Sequence, residues 1–182
     1  MNLQLITSHI IDKLPEPPKS AMILGSGLGG IVNCMEQTIS IPYADIPEYP
    51  CSNISGHAGE WVFGYVDNKP VICASGRCHY YEGYSMEEIT LAVSVIHSLG
   101  VQFLIITNAA GCLNKEWEIG DFMLITGYID YTFRENSNRP VIIPLDMETE
   151  RQKEVQKIAS DTGILLREGI YTWANGPSYE TP

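Results

Sequence analysis

The stretch 76-GRCHYYEGY-84 lies between an apolar run and a segment with a helix-capping pattern, which predicts a strand, a loop and a helix in succession. In nine residues it combines a guanidinium, an imidazole, a carboxylate, three phenols and two glycines. In extended backbone, residues i and i+2 point to the same side, so Arg77 and His79 converge and Tyr81 continues their face. This pattern predicts a site for an anion beside a flat organic group. The alternative is a solvated turn that carries polar residues by chance.

Local signals on both sides of the loop support this order of elements. Ser85 and Glu88 have the spacing of a capping box, which predicts a helix that runs to about Leu99 and ends at Gly100. On the other side, residues 61–66 and 70–74 predict a β-hairpin around Asp67-Asn68.

The rest of the chain alternates between strand and helix patterns. Helices are predicted at residues 3–14 and 148–161, and strands at residues 21–24, 101–107 and 170–174. The apolar run 101–107 is expected to be buried on both faces. This alternation predicts an α/β fold with a mixed sheet flanked by helices. The length of 182 residues fits one domain over residues 1–182.

Composition and charge narrow the classes of partner. Hydrophobic residues make up 45% of the chain, enough for a sizeable core, and the formal net charge is −11. A strongly acidic surface repels nucleic acid and anionic membranes, so neither is expected as a partner. An anionic substrate would need a local concentration of hydrogen-bond donors, which makes the few basic residues near glycines important.

The cysteines indicate a reducing compartment. They are odd in number and show no C-x-x-C spacing, which predicts free thiols rather than a disulfide framework or a zinc site: Cys34, Cys51, Cys73, Cys78 and Cys112. The first 14 residues show no signal-peptide pattern, and no apolar run approaches the roughly 20 residues of a membrane span. A cytoplasmic protein is therefore expected.

A glycine-rich loop, 25-GSGLGG-30, follows the first predicted strand and fits G-x-G-x-x-G, with Asp45 placed 20 residues beyond Gly25. One interpretation is a dinucleotide-binding oxidoreductase. Against it, Gly29-Gly30 is a poor helix start, and prolines surround Asp45. The loop is equally suited to hold phosphate with its backbone amides and the Ser26 hydroxyl, or to form a tight turn with no ligand.

Three further segments are candidates for the same site, because ligands gather at the carboxyl ends of strands in such sheets. They are 56-GHAG-59, 107-TNAAG-111 and 175-NGPSYETP-182. His57 can approach a ligand or be a structural histidine, and Asn108 can bond to its own backbone in a turn. Tyr179 and Glu180 offer a ring to stack on a heterocycle and a carboxylate to accept its N–H, or they belong to a surface loop.

The order GSGLGG, GHAG, GRCHYYEGY, TNAAG and GPSYE resembles the trimeric purine nucleoside phosphorylases of the phosphorylase/hydrolase-like superfamily. The resemblance extends from Ile23 to Thr181. It implies cleavage of purine nucleosides by inorganic phosphate, the co-substrate, to free base and ribose 1-phosphate. It also implies that the reaction needs no metal or organic cofactor.

The resemblance also assigns roles to matching positions. Phosphate would be held by Ser26, Arg77, His79 and the Ala109 amide. The nucleoside would be held by His57, Tyr81, Tyr179 and Glu180. Glu180 would accept the N1–H of a 6-oxopurine, and Glu180 and His79 are the catalytic candidates.

Two departures from the family pattern qualify these expectations. Residues 128–144 do not match the family segment, and Phe133 is the nearest candidate for an aromatic that closes the neighbouring subunit's ribose site in a homotrimer. The family also continues beyond the position of Pro182. The continuation supplies a Met-Ser pair, a purine-binding Asn and a His at the ribose. The chain is therefore expected to hold the N-terminal two-thirds of the fold and to lack its C-terminal part.

Other functions remain open on the sequence. The chain can be a catalytically incomplete module that binds phosphate and purine or serves in assembly. A 5′-methylthioadenosine phosphorylase is the close enzymatic alternative, and the dinucleotide-binding oxidoreductase is the distant one.

Overall fold

The computed structural model describes residues 1–51, 59–132, 139–145 and 150–174. The chain separates into two compact units, Met1–Ala110 and Gly111–Pro182. The described helices are α1 Leu3–Ile11, α2 Met86–Ser98 and α3 Glu150–Thr162. The described strands are β1 Ser20–Leu24, β2 Glu36–Pro42, β3 Glu60–Val66, β4 Lys69–Ser75, β5 Phe103–Ile106, β6 Phe122–Asp130, β7 Val141–Pro144 and β8 Leu166–Trp173.

The first unit is built on a five-stranded sheet of order β2-β3-β4-β1-β5. Strands β2, β3 and β4 pair antiparallel, whereas β1 pairs parallel with both β4 and β5. Leu24 stands opposite Ser75, and Ile23 stands opposite Ile106. The carboxyl ends of β1, β4 and β5 therefore meet at one edge of the sheet. The predicted mixed α/β class is confirmed.

The predicted hairpin and central helix are also confirmed. Asp67 and Asn68 both have positive φ, 48° and 58°, as a two-residue hairpin turn between β3 and β4 requires. At the start of α2, the Ser85 hydroxyl accepts from the Glu88 amide, and the Glu88 carboxylate accepts from the Ser85 amide at 2.7 Å. The hydrogen bonds that the Glu88 carboxylate accepts from the Ser85 amide and hydroxyl lower the pKa of Glu88. Gly100 ends the helix at a φ of +76°.

The first helix is shorter than predicted. Residues 3–14 have the apolar spacing of a helix, but α1 ends at Ile11. The amides of Lys13 and Leu14 bond three residues back, to Ile10 and Ile11. Pro15 disfavours the α conformation at the residue before it, so the chain leaves the helix in a tightened turn.

The core of the first unit lies between its sheet and helices α1 and α2. Trp61, Phe63 and Ile72 are fully buried from the sheet, and Ile6 and Val95 are fully buried from the two helices.

Strand β5 differs from its prediction. Residues 101–107 read as a strand buried on both faces, yet Ile105 and Ile106 of the shorter strand are 42% and 57% exposed. The reason is position, because β5 is the edge strand of the described sheet. An apolar run in the sequence does not indicate where in the sheet the strand will lie.

The second unit contains a three-stranded sheet of order β7-β6-β8. Strand β6 pairs antiparallel with β7 and parallel with β8. Strand β8 begins before the predicted residues 170–174. Helix α3 follows the prediction for 148–161, of which residues 148 and 149 lie outside the described part. The single domain over residues 1–182 stays a prediction. No helix in the described ranges is long and apolar enough to cross a membrane.

Candidate active site

A loop follows each of the three parallel strands of the first unit, and all three loops begin at the same edge of the sheet. The glycine-rich loop follows β1, the stretch 76–84 follows β4, and residues 107–110 follow β5. In open α/β sheets this edge is the usual place for ligands. These loops carry the four residues that were predicted to hold phosphate: Ser26, Arg77, His79 and Ala109.

Two of the loops are tied together through Thr107. The Gly25 amide donates to the Thr107 hydroxyl at 3.0 Å, and that hydroxyl donates to the Ile23 carbonyl at 3.2 Å. A Cβ on Gly25 would lie 2.5 Å from the Asn108 Cα and 2.6 Å from the Thr107 carbonyl oxygen. Only glycine permits this approach of the two backbones, so Gly25 fixes how the loops meet.

The glycine-rich loop does not continue as a dinucleotide-binding unit. Gly27 has a φ of +84°, and a short 3-10 helix, Gly29–Cys34, follows in place of an α-helix. The next strand, β2, pairs antiparallel with β3, and Asp45 lies in the 3-10 helix Tyr43–Asp45. A dinucleotide fold needs an α-helix and a second parallel strand at these places, so the structure does not support that alternative.

Arg77 spans the gap between two loops. Its Nη1 donates to the Thr107 carbonyl at 3.2 Å, and its Nε lies 3.5 Å from His79 Nε2. The predicted convergence of Arg77 and His79 is therefore confirmed. The half-buried guanidinium places a permanent positive charge at the edge where the three loops begin.

Glu82 sets the orientation of His79. Its Oε1 lies 2.9 Å from His79 Nδ1 and accepts from the His79 amide at 2.8 Å. The two side chains are only 20% and 11% exposed. A carboxylate at Nδ1 favours a proton on that nitrogen and turns Nε2 toward Arg77.

Tyr81 extends the same face, as predicted. Its ring stacks on the His79 ring with centroids 4.9 Å apart and planes 16° apart. Tyr81 reaches this position from a short 3-10 helix, Tyr80–Glu82, rather than from extended backbone. The site thus combines a cation, an oriented imidazole and an exposed aromatic ring.

In the loop after β5, the Asn108 side chain makes a local hydrogen bond. It donates to the adjacent Ala109 carbonyl at 3.2 Å. Ala109 and Ser26 are exposed at the edge of the sheet.

Four predicted site residues lie outside the described residues: His57, Phe133, Tyr179 and Glu180. Their roles stay predictions. Across the described ranges, the acidic, histidine and cysteine side chains form no group of three or more that could hold a metal ion.

Three residues that shape the site had been assigned no role from the sequence. Glu82 was detectable, because His79 and Glu82 have the spacing of a capping box. Thr107 and Tyr43 act through partners distant in the chain, and no local pattern reports such contacts. The Tyr43 hydroxyl donates to the Gly76 carbonyl at 2.9 Å, just before Arg77.

The five cysteines are free thiols. Cys78 of the stretch 76–84 is buried, and burial raises its pKa to about 11. Burial likewise raises the pKa of Cys73 to about 12. Both thiols are therefore protonated at neutral pH and contribute to packing rather than to chemistry.

Comparisons with known proteins show the family of the chain. Residues 19–182 match the model of the phosphorylase superfamily. The chain is 42% identical over 193 residues to purine nucleoside phosphorylase 1 of Bacillus subtilis strain 168, over 99% of this chain and 70% of that protein.

Two solved structures of schistosoma enzymes share the fold. Isoform 2 of the purine nucleoside phosphorylase from Schistosoma mansoni, in complex with cytosine and ribose-1-phosphate, superposes with a TM-score of 0.83 at 33% identity, over 100% of this chain and 68% of that chain. A complex of a schistosoma purine nucleoside phosphorylase with hypoxanthine gives a TM-score of 0.81 at 31% identity, over 100% of this chain and 69% of that chain. The chain thus spans 68 to 70% of the length of these three relatives. It belongs to the phosphorylase superfamily, among the purine nucleoside phosphorylases.

Proposed function

We propose that the chain acts as a purine nucleoside phosphorylase and holds phosphate and ribose at the loops that follow β1, β4 and β5. The enzyme would cleave a purine nucleoside with inorganic phosphate to the free base and ribose 1-phosphate. One observation carries the proposal: Arg77 is held between Thr107 and His79 where three parallel strands end. The complexes of the two schistosoma relatives, one with ribose-1-phosphate and one with hypoxanthine, contain this product and a purine base.

Arg77 would be the main phosphate ligand. A guanidinium has five N–H donors, and the contacts to Thr107 and His79 orient it without using them all. Charge-assisted hydrogen bonds to phosphate are roughly twice as strong as neutral ones. The Ser26 hydroxyl and the Ala109 amide would complete the cradle. Such a local donor cluster is needed because the chain as a whole carries a net charge of −11.

His79 and Tyr81 would lie between phosphate and ribose. With Nδ1–H bonded to Glu82, His79 would accept at Nε2 the O–H of hydrogen phosphate, beside Arg77. The stacked ring of Tyr81 would cover the apolar face of the sugar. His57 would lie near the ribose 5′ side. Tyr179 would pack on the purine, and Glu180 would accept the N1–H of a 6-oxopurine.

The reaction follows from these positions. The glycosidic bond breaks as a phosphate oxygen bonds to C1′ of the ribose. The bonding electron pair leaves with the purine, which takes up the proton that hydrogen phosphate loses. Positive charge develops on the ribose, and the phosphate held by Arg77 stabilises it. A preorganised contact of this kind typically contributes about 2.7–4 kcal/mol in the transition state.

The proposal includes phosphate as co-substrate, with no metal or organic cofactor. It also includes a cytoplasmic homotrimer in which Phe133 would reach the neighbouring subunit's ribose site.

The test is phosphorolysis by the purified chain. Inosine and 5′-methylthioadenosine are incubated with and without phosphate, and release of the base is followed by chromatography. Phosphate-dependent release of hypoxanthine that is lost in Arg77→Ala is the expected result. Cleavage of 5′-methylthioadenosine alone would favour the related phosphorylase. Binding of phosphate and hypoxanthine without cleavage would favour the binding module. A chain that shows no binding and no cleavage would contradict the proposal.

A further inference from the structure

We infer that Tyr43 is a positioning residue for the phosphate site, acting through the Gly76 carbonyl to set where Arg77 begins. The inference rests on the proposed function, because it concerns how tightly the site holds phosphate. Tyr43 belongs to none of the loops that carry the phosphate ligands.

The Tyr43 hydroxyl is held in one place. The residue is 3% exposed, and its ring centroid lies 4.5 Å from that of Tyr49 and 6.2 Å from that of Trp61. Its backbone amide donates to the Gly59 carbonyl at 2.7 Å. Ring and backbone are therefore both fixed, and the hydroxyl is presented to the Gly76 carbonyl at 2.9 Å.

Gly76 is the point where the chain turns out of the sheet. Strand β4 ends at Ser75, and Gly76 follows with a φ of +93°. Its carbonyl is buried, and a buried carbonyl needs a donor. Glycine has many backbone conformations available, so a hydrogen bond here selects one of them.

This selection is transmitted directly to Arg77. The Gly76 carbonyl and the Arg77 nitrogen belong to one planar peptide unit, so fixing the carbonyl fixes the direction in which Arg77 leaves. From that starting point the side chain meets the Thr107 carbonyl at 3.2 Å and His79 at 3.5 Å. A rotated peptide plane would move the guanidinium away from both contacts.

The donor keeps its proton across the physiological range. Burial is the main cause that raises the pKa of Tyr43 well above its usual value, and the neighbouring Tyr49 adds to it. The bond to Gly76 is therefore present whenever the site is folded.

The test compares Tyr43→Phe with the wild-type chain. Phenylalanine keeps the ring packing and removes only the hydroxyl. The matched control is Tyr65→Phe, which removes a hydroxyl that donates to Glu16 at the surface, at 2.7 Å. Phosphate affinity is measured by calorimetry well below the melting temperature of each variant. Amide hydrogen exchange is measured over residues 76–83.

We expect Tyr43→Phe to bind phosphate about tenfold more weakly, because the buried Gly76 carbonyl loses its hydrogen-bond donor. Amides of Glu82 and Gly83 should exchange faster, and Tyr65→Phe should match the wild type in both measurements. A residue that served stability alone would lower the melting temperature and leave the phosphate affinity unchanged.

The outcomes separate the inference from the function on which it rests. Unchanged phosphate affinity in Tyr43→Phe, beside a wild type that binds, would overturn the inference and leave the proposed function standing. A wild-type chain that binds no phosphate would overturn the proposed function and the inference with it. A Tyr43→Phe chain that stays unfolded would also overturn the inference, because the hydroxyl would then be required for folding.

Discussion

The two units of the chain differ in how they bury apolar residues. In Met1–Ala110, side chains such as Trp61, Phe63 and Ile72 are completely buried. In the described part of Gly111–Pro182, Ala159 is the one buried hydrophobic residue, while Ile142 and Ile158 are 68% and 60% exposed. The predicted phosphate ligands all lie in the unit with the packed core, where rigid strands can preorganise them.

This difference in burial predicts a difference in stability between the two units. Full burial of a large apolar side chain contributes about 1.5–3 kcal/mol, and the first unit has many such residues. In the described part of the second unit, β6 pairs with β7 and with β8. Its described polar contacts include the Arg167–Asp121 pair at 2.9 Å. We therefore expect the first unit to carry most of the stability and all of the phosphate affinity.

The largest effect should follow from truncating the core. Trp61→Ala should lower the free energy of unfolding by about 3–5 kcal/mol, since it removes a fully buried indole. Ile142→Ala in the second unit should change it by no more than about 0.5 kcal/mol. Urea denaturation followed by circular dichroism measures both. Equal losses in the two variants would contradict the comparison.

The next effect concerns the two arginines of the two units. Arg77→Ala should weaken phosphate binding roughly 100-fold, because it removes the permanent cation of the site. Arg167→Ala is the matched control. Arg167 pairs with Asp121 and lies 5.8 Å from the Trp117 ring centroid, so phosphate affinity should stay unchanged. Calorimetric titration with phosphate measures the affinity of both variants. A comparable loss of phosphate affinity in Arg167→Ala would contradict the assignment of Arg77 as the phosphate ligand.

Glycine positions offer a smaller, sterically matched contrast. Gly25→Ala should lower stability by about 1–3 kcal/mol and weaken phosphate binding, because its Cβ would meet backbone atoms at 2.5 and 2.6 Å. At Gly127 in the second unit, the nearest atoms would lie at 3.6 and 3.7 Å, an ordinary contact distance. Gly127→Ala should be tolerated. Thermal melting and phosphate titration of both variants test this, and a tolerated Gly25→Ala would refute the close approach of the loops.

The smallest effect is a pH dependence of the first unit. Folding raises the pKa of Cys78 to about 11 and that of Cys73 to about 12, from an ordinary value near 9.0. The stability gained by keeping these thiols protonated is complete below about pH 9 and is lost as the pH rises toward 11 and 12. Free energies of unfolding measured between pH 9 and pH 12 should fall as the pH rises.

Alkylation near pH 8 should label exposed Cys112 rapidly and spare Cys73 and Cys78 until the chain unfolds. Rapid labelling of Cys78 in the folded chain would contradict its burial.

Features with local causes were predictable from the sequence. The turn at Asp67-Asn68 and the Ser85–Glu88 capping box depend on residues adjacent or three apart, and both formed as expected. The exposure of β5 was not predictable, because it depends on the order of strands in the sheet. Strand β2 was also missed, since most of its side chains are exposed and a register shift interrupts it between Glu36 and Ile39.

The contacts of the site also divide into those with a local sequence signal and those without one. The i and i+2 spacing predicted that Arg77 and His79 converge, and the contact formed. The contacts that hold this pair come from Thr107, 30 residues away, and Tyr43, 33 residues before Gly76. Such partners are chosen by the fold, so sequence patterns near the loop contain no signal for them.

The most direct test of the central claim is a crystal structure of the chain grown with phosphate or with tungstate, its electron-dense analogue. We expect one anion at the edge of the sheet where β1, β4 and β5 end. It should lie about 2.7–3.2 Å from the Arg77 guanidinium, the Ser26 hydroxyl and the Ala109 amide. An anion bound with full occupancy elsewhere, and none in contact with Arg77, would contradict the assignment of the phosphate site to these loops.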